Sequence, residues 1–319
     1  MGRKLKISDL EQRFHQPAHL EWGTFDQLPH RIGEIAYTLR YAKTDAGDRT
    51  KGYIVLLHGF SEFAEKYFEL MSDLTEQDYT AFSFDWMGQG KSTRYMPGHP
   101  ERAYSEGFDL DVKDMHSFIE AIVPDDRPRY LIGHSMGGHL GLRYLHDYPT
   151  TFKAACLSAP MCGFDLPAPR GFILFLVRLL RLHGLKASSG ADWSKKYPDI
   201  ENDPRSKDPA RRGVHYAYCL ENAGLRMKDI SFGWVYHALR SIQCTEKSGY
   251  LETIQTPILM GQAGAETTVD NHAMDQAVKR LSNARVIKLE NAEHEIFMER
   301  DDIRDVFLRE TLSFLEKHG

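Results

Sequence analysis

A serine in a glycine-rich turn is the strongest chemical signal in this sequence. Ser135 stands within residues 133–138, which read Gly-His-Ser-Met-Gly-Gly. An apolar run at 129–132 predicts a strand before the turn, and helical periodicity up to Tyr148 predicts a helix after it. Glycines let the backbone turn sharply, which lifts the serine hydroxyl above the sheet edge and aims the amide of Met136 at a developing oxyanion. Ser135 is therefore predicted to be the nucleophile of an acyl transfer, with Met136 as an oxyanion donor.

A base and an acid must accompany this serine, because a serine hydroxyl is a weak nucleophile near neutral pH. When a serine turn of this kind starts a triad, the acid and then the histidine follow it along the chain. His294 lies between the last predicted strand, 285–289, and the last predicted helix, a position that suits the base. Two carboxylates, Glu266 and Asp270, follow the preceding predicted strand at 257–260.

The position of the two carboxylates favours Glu266 as the acid. Glu266 lies closer to the end of the strand, whereas Asp270 is placed to cap the helix that begins near Asn271. The acid holds the histidine tautomer and stabilises its cation, and either aspartate or glutamate can do so. Glu266 is thus the predicted acid, and Asp270 is the alternative.

The loop after the apolar run 53–57 is predicted to supply a second oxyanion amide. It reads His-Gly-Phe-Ser-Glu over residues 58–62. Glycine allows a sharp turn in this loop, so the amide of Phe60 can face the serine. Glu62 and Phe63 come directly after this amide and are expected to contact the substrate.

Apolar runs alternate with helical periodicity along most of the chain. This alternation predicts an α/β fold with a doubly wound, mostly parallel sheet, and the run at 35–41 predicts an early strand at a sheet edge. The alternation stops near residue 160 and resumes near residue 252. We interpret this pattern as a core, an inserted helical cap and an N-terminal extension, which occupy residues 30–160 with 252–319, 161–251, and 1–29.

Composition and charge narrow the class of protein. The chain has 319 residues and a formal net charge of −5, which gives no indication of a nucleic-acid partner. Its cysteines lack C-x-x-C pairs and zinc-ligand spacing, so we predict reduced cysteines and no metal site. The first ten residues lack the apolar core of a signal peptide, and the apolar run 171–182 is too short to span a bilayer. We expect a cytoplasmic protein.

Taken together, the motifs resemble those of the α/β-hydrolase group of bacterial lysophospholipases and monoacylglycerol lipases. The segments that carry this resemblance are 58–62, 84–92 and 133–138, and the ending 292–299 is most similar to the lysophospholipase L2 branch. The resemblance implies an α/β-hydrolase fold and ester hydrolysis without metal or organic cofactor. It also implies that Phe60 and Met136 supply the oxyanion amides, and that the acid position, here Glu266, normally holds aspartate.

A monoacyl lipid substrate, a lysophospholipid or a monoacylglycerol, follows from the same resemblance. Such a substrate requires an apolar tunnel with a polar mouth. The apolar run 171–182 is a candidate wall, and its Arg178 and Arg181 are candidate contacts for phosphate or for the anionic surface of the inner membrane. The alternative for this run is a cap helix packed on the body with solvated arginines. Alternative functions are a prolyl-aminopeptidase-like peptidase and a general short-chain carboxylesterase.

Overall fold

The computed structural model describes residues 5–27, 36–96, 98–181, 185–189, 200–201 and 203–319. The strands of these residues are β1 (Leu20–Gln27), β2 (Tyr37–Thr44), β3 (Gly52–Leu57), β4 (Tyr79–Phe84), β5 (Arg102–Ala103), β6 (Arg129–His134), β7 (Ala154–Ser158), β8 (Lys186–Ser189), β9 (Asp229–Ser231), β10 (Ile258–Ala263) and β11 (Ala284–Leu289). The α-helices are α1 (Phe68–Glu76), α2 (Phe108–Ile122), α3 (Met136–Asp147), α4 (Arg170–Leu180), α5 (Pro209–Glu221), α6 (Phe232–Thr245), α7 (Asn271–Arg280) and α8 (Asp301–Lys317).

The central sheet of the described chain contains eight strands in the order β1-β2-β4-β3-β6-β7-β10-β11. The pairs β1–β2 and β2–β4 are antiparallel, whereas β4, β3, β6, β7, β10 and β11 run parallel to their neighbours. The predicted mostly parallel α/β sheet is confirmed. Because parallel strands end at the same edge of the sheet, the loops after β3, β6, β10 and β11 come together there.

Strand β3 shows how the sequence produces a sheet covered on both faces. All of its residues are buried, and successive side chains point to opposite faces. Val55 and Leu57 pack in one apolar cluster with α2 and α3, whereas Ile54 and Leu56 pack in a second cluster with α1 and α8. Helices on both faces therefore hold the strand ends in fixed positions.

The segment predicted as a helical cap also contains strands. Strands β8 and β9 form a second, three-stranded sheet with β5, which comes from an earlier part of the chain. Helix α5 packs on the body, against the 3₁₀ segments Ile7–Asp9 and Ala64–Tyr67. Three helices, α4, α5 and α6, lie in this insertion as predicted, whereas β8 and β9 were not predicted because they are too short and too polar to show strand periodicity. Its boundaries, 161–251, stay a prediction.

The N-terminal part of the chain belongs to the sheet. Strand β1, which lies in the stretch 1–29 predicted as an extension, pairs along its full length with β2. The early strand predicted at 35–41 is observed as Tyr37–Thr44, and it lies between β1 and β4 rather than at the edge. The predicted edge position was wrong because β1 covers it. The predicted boundary between residues 29 and 30 falls outside the described residues.

Candidate active site

Ser135 occupies the sharp turn between β6 and α3. Its backbone has a φ of 51° and a ψ of −116°, a strained combination for a residue with a side chain. Gly137 permits the turn to sit tightly against the end of β3, since a Cβ there would collide with the carbonyl of Leu57. A Cβ on Gly59 would come within 3.2 Å of the Ser135 Cβ. The loop after β3 therefore lies directly beside the serine.

Three side chains from different loops form one chain of hydrogen bonds. The Ser135 hydroxyl lies 2.9 Å from Nε2 of His294, in the geometry for donation from Oγ to that nitrogen. Nδ1 of His294 lies 2.7 Å from Oε2 of Glu266 and donates to it. Ser135 is 7% exposed and His294 is 3% exposed, so water competes little for either bond. The structure thus brings the predicted nucleophile, base and acid together.

Glu266 is held by its own loop. Its Oε1 accepts hydrogen bonds from the amides of Thr267, Thr268 and Val269 at 2.9, 2.7 and 3.2 Å, which leaves Oε2 for His294. Burial raises the pKa of this carboxyl, but the bond from His294 and the amides outweigh burial and lower it. Glu266 is therefore ionised and fixed in place opposite the histidine.

Asp270, the alternative acid, has a structural position. Its carboxylate accepts a hydrogen bond from the amide of His272 at 2.7 Å, so it caps the N-terminus of α7. This is the capping position that the sequence pattern indicates. Of the two carboxylates, Glu266 is the one hydrogen-bonded to His294.

The loop after β3 is tied on both sides of Phe60. The amide of Gly59 donates to Oε2 of Glu62 at 2.6 Å, and the amide of Ser61 donates to Oε1 of Gln89 at 2.6 Å. The Phe60 amide lies between these two anchored amides. The other predicted donor, Met136, is the first residue of α3, where an amide has no carbonyl one turn earlier in the helix. Both assignments as oxyanion donors stay predictions, with geometry that supports them.

Glu62 and Phe63 were expected to contact the substrate, and the structure places both side chains in the interior. Glu62 is 3% exposed, and its carboxylate is used by Gly59 and by the hydroxyl of Tyr67 at 2.7 Å. Phe63 is fully buried and stacks on His215 at 5.3 Å. Glu62 supports the loop backbone, and Phe63 packs the core beneath it.

Gln89, which lies in the segment 84–92, is a functional candidate for which the sequence predicted no role. It lies in the turn after β4 and is 6% exposed, and its Oε1 accepts the hydrogen bond from the amide of Ser61. Its Nε2 lies 3.8 Å from the sulfur of Met136, so one side chain contacts both predicted oxyanion segments. The sequence signal for this position was Gly-Gln-Gly at 88–90, because closely spaced glycines indicate a tight turn. In the structure both glycines have positive φ.

The two arginines predicted as substrate contacts differ in environment. Arg178 is exposed on α4. Arg181 follows the same helix and lies over the ring of Tyr236 at 4.5 Å. The predicted roles of both arginines stay untested predictions. Among the described residues, no group of three or more histidine, cysteine or acidic side chains is arranged to hold a metal ion.

The parallel sheet, the strained serine turn and the serine–histidine–glutamate contacts define an α/β hydrolase. A family described as "Serine aminopeptidase, S33" matches residues 48–301 of this chain. The chain belongs to this family.

Similar proteins narrow the group within the family. The chain is 28% identical over 312 residues to "Probable lysophospholipase L2" of Haemophilus influenzae, covering 96% of this chain and 98% of that protein. It is 27% identical to "Lysophospholipase L2" of Escherichia coli strain K12, over 83% of this chain and 81% of that protein. The crystal structure of Paleococcus ferrophilus monoacylglycerol lipase shares the fold, with a TM-score of 0.70, 23% identity, and coverage of 88% of this chain and 99% of that one. The predicted membership of an ester-hydrolase group is confirmed.

Proposed function

We propose that this protein hydrolyses the carboxylic ester of monoacyl lipids, lysophospholipids or monoacylglycerols, through an acyl-enzyme on Ser135. The observation that carries the proposal is the continuous chain of hydrogen bonds from Ser135 through His294 to Glu266. In this arrangement the histidine can accept the serine proton while the glutamate stabilises the imidazolium that forms.

Acylation begins when Oγ of Ser135 attacks the acyl carbonyl carbon and its proton moves to Nε2 of His294. The carbonyl electron pair moves to oxygen, and the amides of Phe60 and Met136 stabilise this negative charge. The loss of one such donor costs about 3 kcal/mol in the transition state. The intermediate then collapses, the ester C–O bond breaks, and the departing alcohol takes the proton from His294.

Deacylation repeats these steps with water. His294 accepts a proton from water, the hydroxide attacks the acyl carbon, and the same amides stabilise the second oxyanion. The fatty acid leaves as the proton returns to Ser135. Because Glu266 stays ionised, it holds the same histidine tautomer in both halves of the reaction.

The lipid substrate is supported by the relatives and by the surface of α4. Both curated relatives described above are named lysophospholipases and match along most of their length. Helix α4 has a stripe of exposed apolar side chains at helical spacing, with exposures of 62%, 62%, 42% and 53% for Phe172, Phe175, Leu176 and Leu179. An exposed apolar stripe of this kind suits a lipid aggregate better than bulk water.

We extend the proposal to a membrane-surface contact through α4. In the part of the chain that the structure describes, no helix is both long and apolar enough to cross a membrane. The stripe on α4 would lie in the interface while the neighbouring Arg178 faces anionic headgroups. A cytoplasmic protein peripheral to the inner membrane is the localisation that this proposal predicts.

A matched substrate panel tests the function. We expect kcat/KM for lysophosphatidylcholine or a monoacylglycerol to exceed that for nitrophenyl acetate by at least about tenfold, because the bound acyl chain contributes to transition-state binding. A fluorophosphonate probe should label the wild type and leave Ser135→Ala unlabelled.

Three outcomes would contradict the proposal. Turnover of short esters alone would favour a general carboxylesterase, and turnover of aminoacyl amides alone would favour a peptidase. Failure of the folded wild type to react with the fluorophosphonate would exclude Ser135 as a nucleophile.

A further inference from the structure

A buried lysine lies between the two loops that flank the serine. Lys66 is 2% exposed and belongs to the 3₁₀ segment Ala64–Tyr67. Its Nζ lies 2.5 Å from Oε1 of Glu62 and 2.6 Å from Oε1 of Glu295. Burial alone lowers the pKa of Lys66, but the two carboxylates outweigh burial and raise it, so the ammonium is charged.

The first carboxylate connects this lysine to the predicted oxyanion loop. Glu62 uses Oε1 for Lys66 and Oε2 for the amide of Gly59, which is the residue directly before Phe60. The peptide that carries the Phe60 amide therefore begins at an anchored residue. The carbonyl of the same peptide, that of Gly59, lies 2.8 Å from Nδ1 of the buried His58, so Glu62 and His58 together fix the orientation of this peptide.

The second carboxylate connects the lysine to the base. Glu295 directly follows His294, and its carboxylate contacts Lys66. Its amide donates to the carbonyl of Arg205 at 2.8 Å, and its Oε1 lies 3.5 Å from Nη1 of the same arginine. Arg205 is held in turn by Asp203, because Nε of Arg205 donates a hydrogen bond to Oδ1 of Asp203 at 2.8 Å. The loop that carries His294 is thus fixed on the side facing Lys66.

Stability does not account for this arrangement. Removing several charged groups from water costs about as much as their attraction returns, and apolar residues of similar volume often stabilise a core better. At one end of the Glu62–Lys66–Glu295 bridge, Glu295 directly follows His294; at the other, Glu62 binds the amide of Gly59, which directly precedes Phe60. The bridge thus joins the loop of the predicted oxyanion donor to the loop of the base.

We propose that Lys66 is a positioning residue, which sets the orientation of the Phe60 amide and of His294 relative to each other through Glu62 and Glu295. The inference rests on the proposed function and deepens it. The oxyanion donor and the base lie on separate loops, and a displacement of about 1 Å between such groups can cost about 100-fold in rate. The bridge keeps the distance between the two loops constant through both halves of the reaction.

The test replaces the ammonium and measures the chemical step. For Lys66→Met we expect kcat on a short nitrophenyl ester to fall about 10- to 100-fold, with KM within about threefold of the wild type. The rate of fluorophosphonate reaction, in which the Ser135 Oγ–P bond forms, the P–F bond breaks and the proton moves to His294, should fall in parallel. Lys66→Arg should recover most of both rates, because it restores a cation between the two carboxylates.

Two further variants separate positioning from folding. Glu295→Gln keeps the side-chain volume and an acceptor for Lys66, and it should lower kcat about 3- to 10-fold in a fully folded protein. Arg211→Met removes another buried cation, which pairs with Glu69 of α1 at 2.7 Å, and it should lower stability while leaving kcat unchanged.

Each outcome has a definite meaning. A folded Lys66→Met or Glu295→Gln protein with wild-type kcat and wild-type labelling would overturn the role of Lys66 and leave the proposed function intact. An equal loss of kcat in Arg211→Met would also overturn it, because the loss would then follow stability. A wild type that fails to react with the fluorophosphonate would overturn the proposed function and the inference with it.

Discussion

Glu266 reaches His294 with a side chain one methylene longer than the aspartate that the family resemblance led us to expect. The extra length is accommodated because the carboxylate folds back over its own loop. Three consecutive amides bind one oxygen, and the histidine binds the other. The amides of the loop are therefore placed for the length of a glutamate side chain, whose second oxygen reaches His294.

Replacement of this acid should distinguish charge from length. Glu266→Gln removes the charge and should lower kcat about 10³- to 10⁴-fold, because the histidine tautomer and its cation lose their support. Glu266→Asp keeps the charge but draws it back by about one C–C bond length, and we expect an intermediate loss of about 10- to 100-fold. Steady-state kinetics on a nitrophenyl ester measures both.

Asp270→Asn is the matched control for these acid variants. Asparagine is also a good N-cap, so kcat and stability should both stay close to those of the wild type. A larger loss of kcat for Asp270→Asn than for Glu266→Gln would show that the triad acid has been assigned wrongly.

Chain order and strand ends predicted which residues meet at the site. Ser135, His294 and Glu266 each follow a strand of the parallel sheet, so one rule of topology places all three side chains together. Glu62 and Phe63 follow a strand too, yet they are buried supports. Their direction depends on the contacts of Glu62 with Tyr67 and of Phe63 with His215, which no motif or strand pattern specifies.

At the scale of elements, buried parallel strands were predictable and the edges of the fold were not. Strands such as β3 and β6 read as continuous apolar runs because helices cover both faces. Strand β1 is largely exposed and carries polar residues such as Glu21 and Asp26, so its membership of the sheet depends on pairing with β2. The small sheet of β5, β9 and β8 joins distant parts of the chain and has no local signature.

Helix α4 supports a prediction about lipid surfaces. Phe172→Glu with Phe175→Glu should weaken binding to vesicles of anionic phospholipid by at least about tenfold, because two apolar side chains contribute on the order of 1 kcal/mol or more each at an interface. Vesicle sedimentation measures this binding. Hydrolysis of a water-soluble nitrophenyl ester should be unchanged, because the hydrogen bonds that join Ser135, His294 and Glu266 involve no residue of α4.

The conservative pair Phe172→Leu with Phe175→Leu is the control for α4, because it keeps an apolar face. It should bind vesicles nearly as well as the wild type. Equal vesicle binding by the glutamate and leucine variants would exclude α4 as the contact.

At the scale of the whole molecule, four histidines around the central sheet are buried in their neutral form. Burial lowers the pKa of His134 to about 4 and the pKa of His139 to about 3. Burial also lowers the pKa of His58 and of His215. All four imidazoles are fully enclosed by the elements around the sheet, so each must gain a proton against the low polarity of its surroundings.

These histidines predict that the protein loses stability in mild acid. Between the ordinary histidine pKa of about 6.5 and the lowered values in the fold, the unfolded chain binds more protons than the folded one, so stability falls as the pH falls. Each such group contributes at most about 1.4 kcal/mol per pH unit, which gives about 5 kcal/mol per pH unit for four groups. Since a domain is stable by only about 5–15 kcal/mol, unfolding should begin near pH 5.

Urea unfolding at several pH values between about 5 and 7.5 tests this prediction, with the midpoint expected to fall steadily below about pH 6.5. His139→Gln places an amide near the position of Nε2, which bonds the hydroxyl of Ser241 at 2.7 Å, and it should reduce the slope by the contribution of one histidine. The exposed His272 provides the control, because His272→Gln should leave the slope unchanged. A wild-type midpoint independent of pH over this range would mean that the histidines are not held neutral by burial, and the enclosed core around the sheet would then need to admit water.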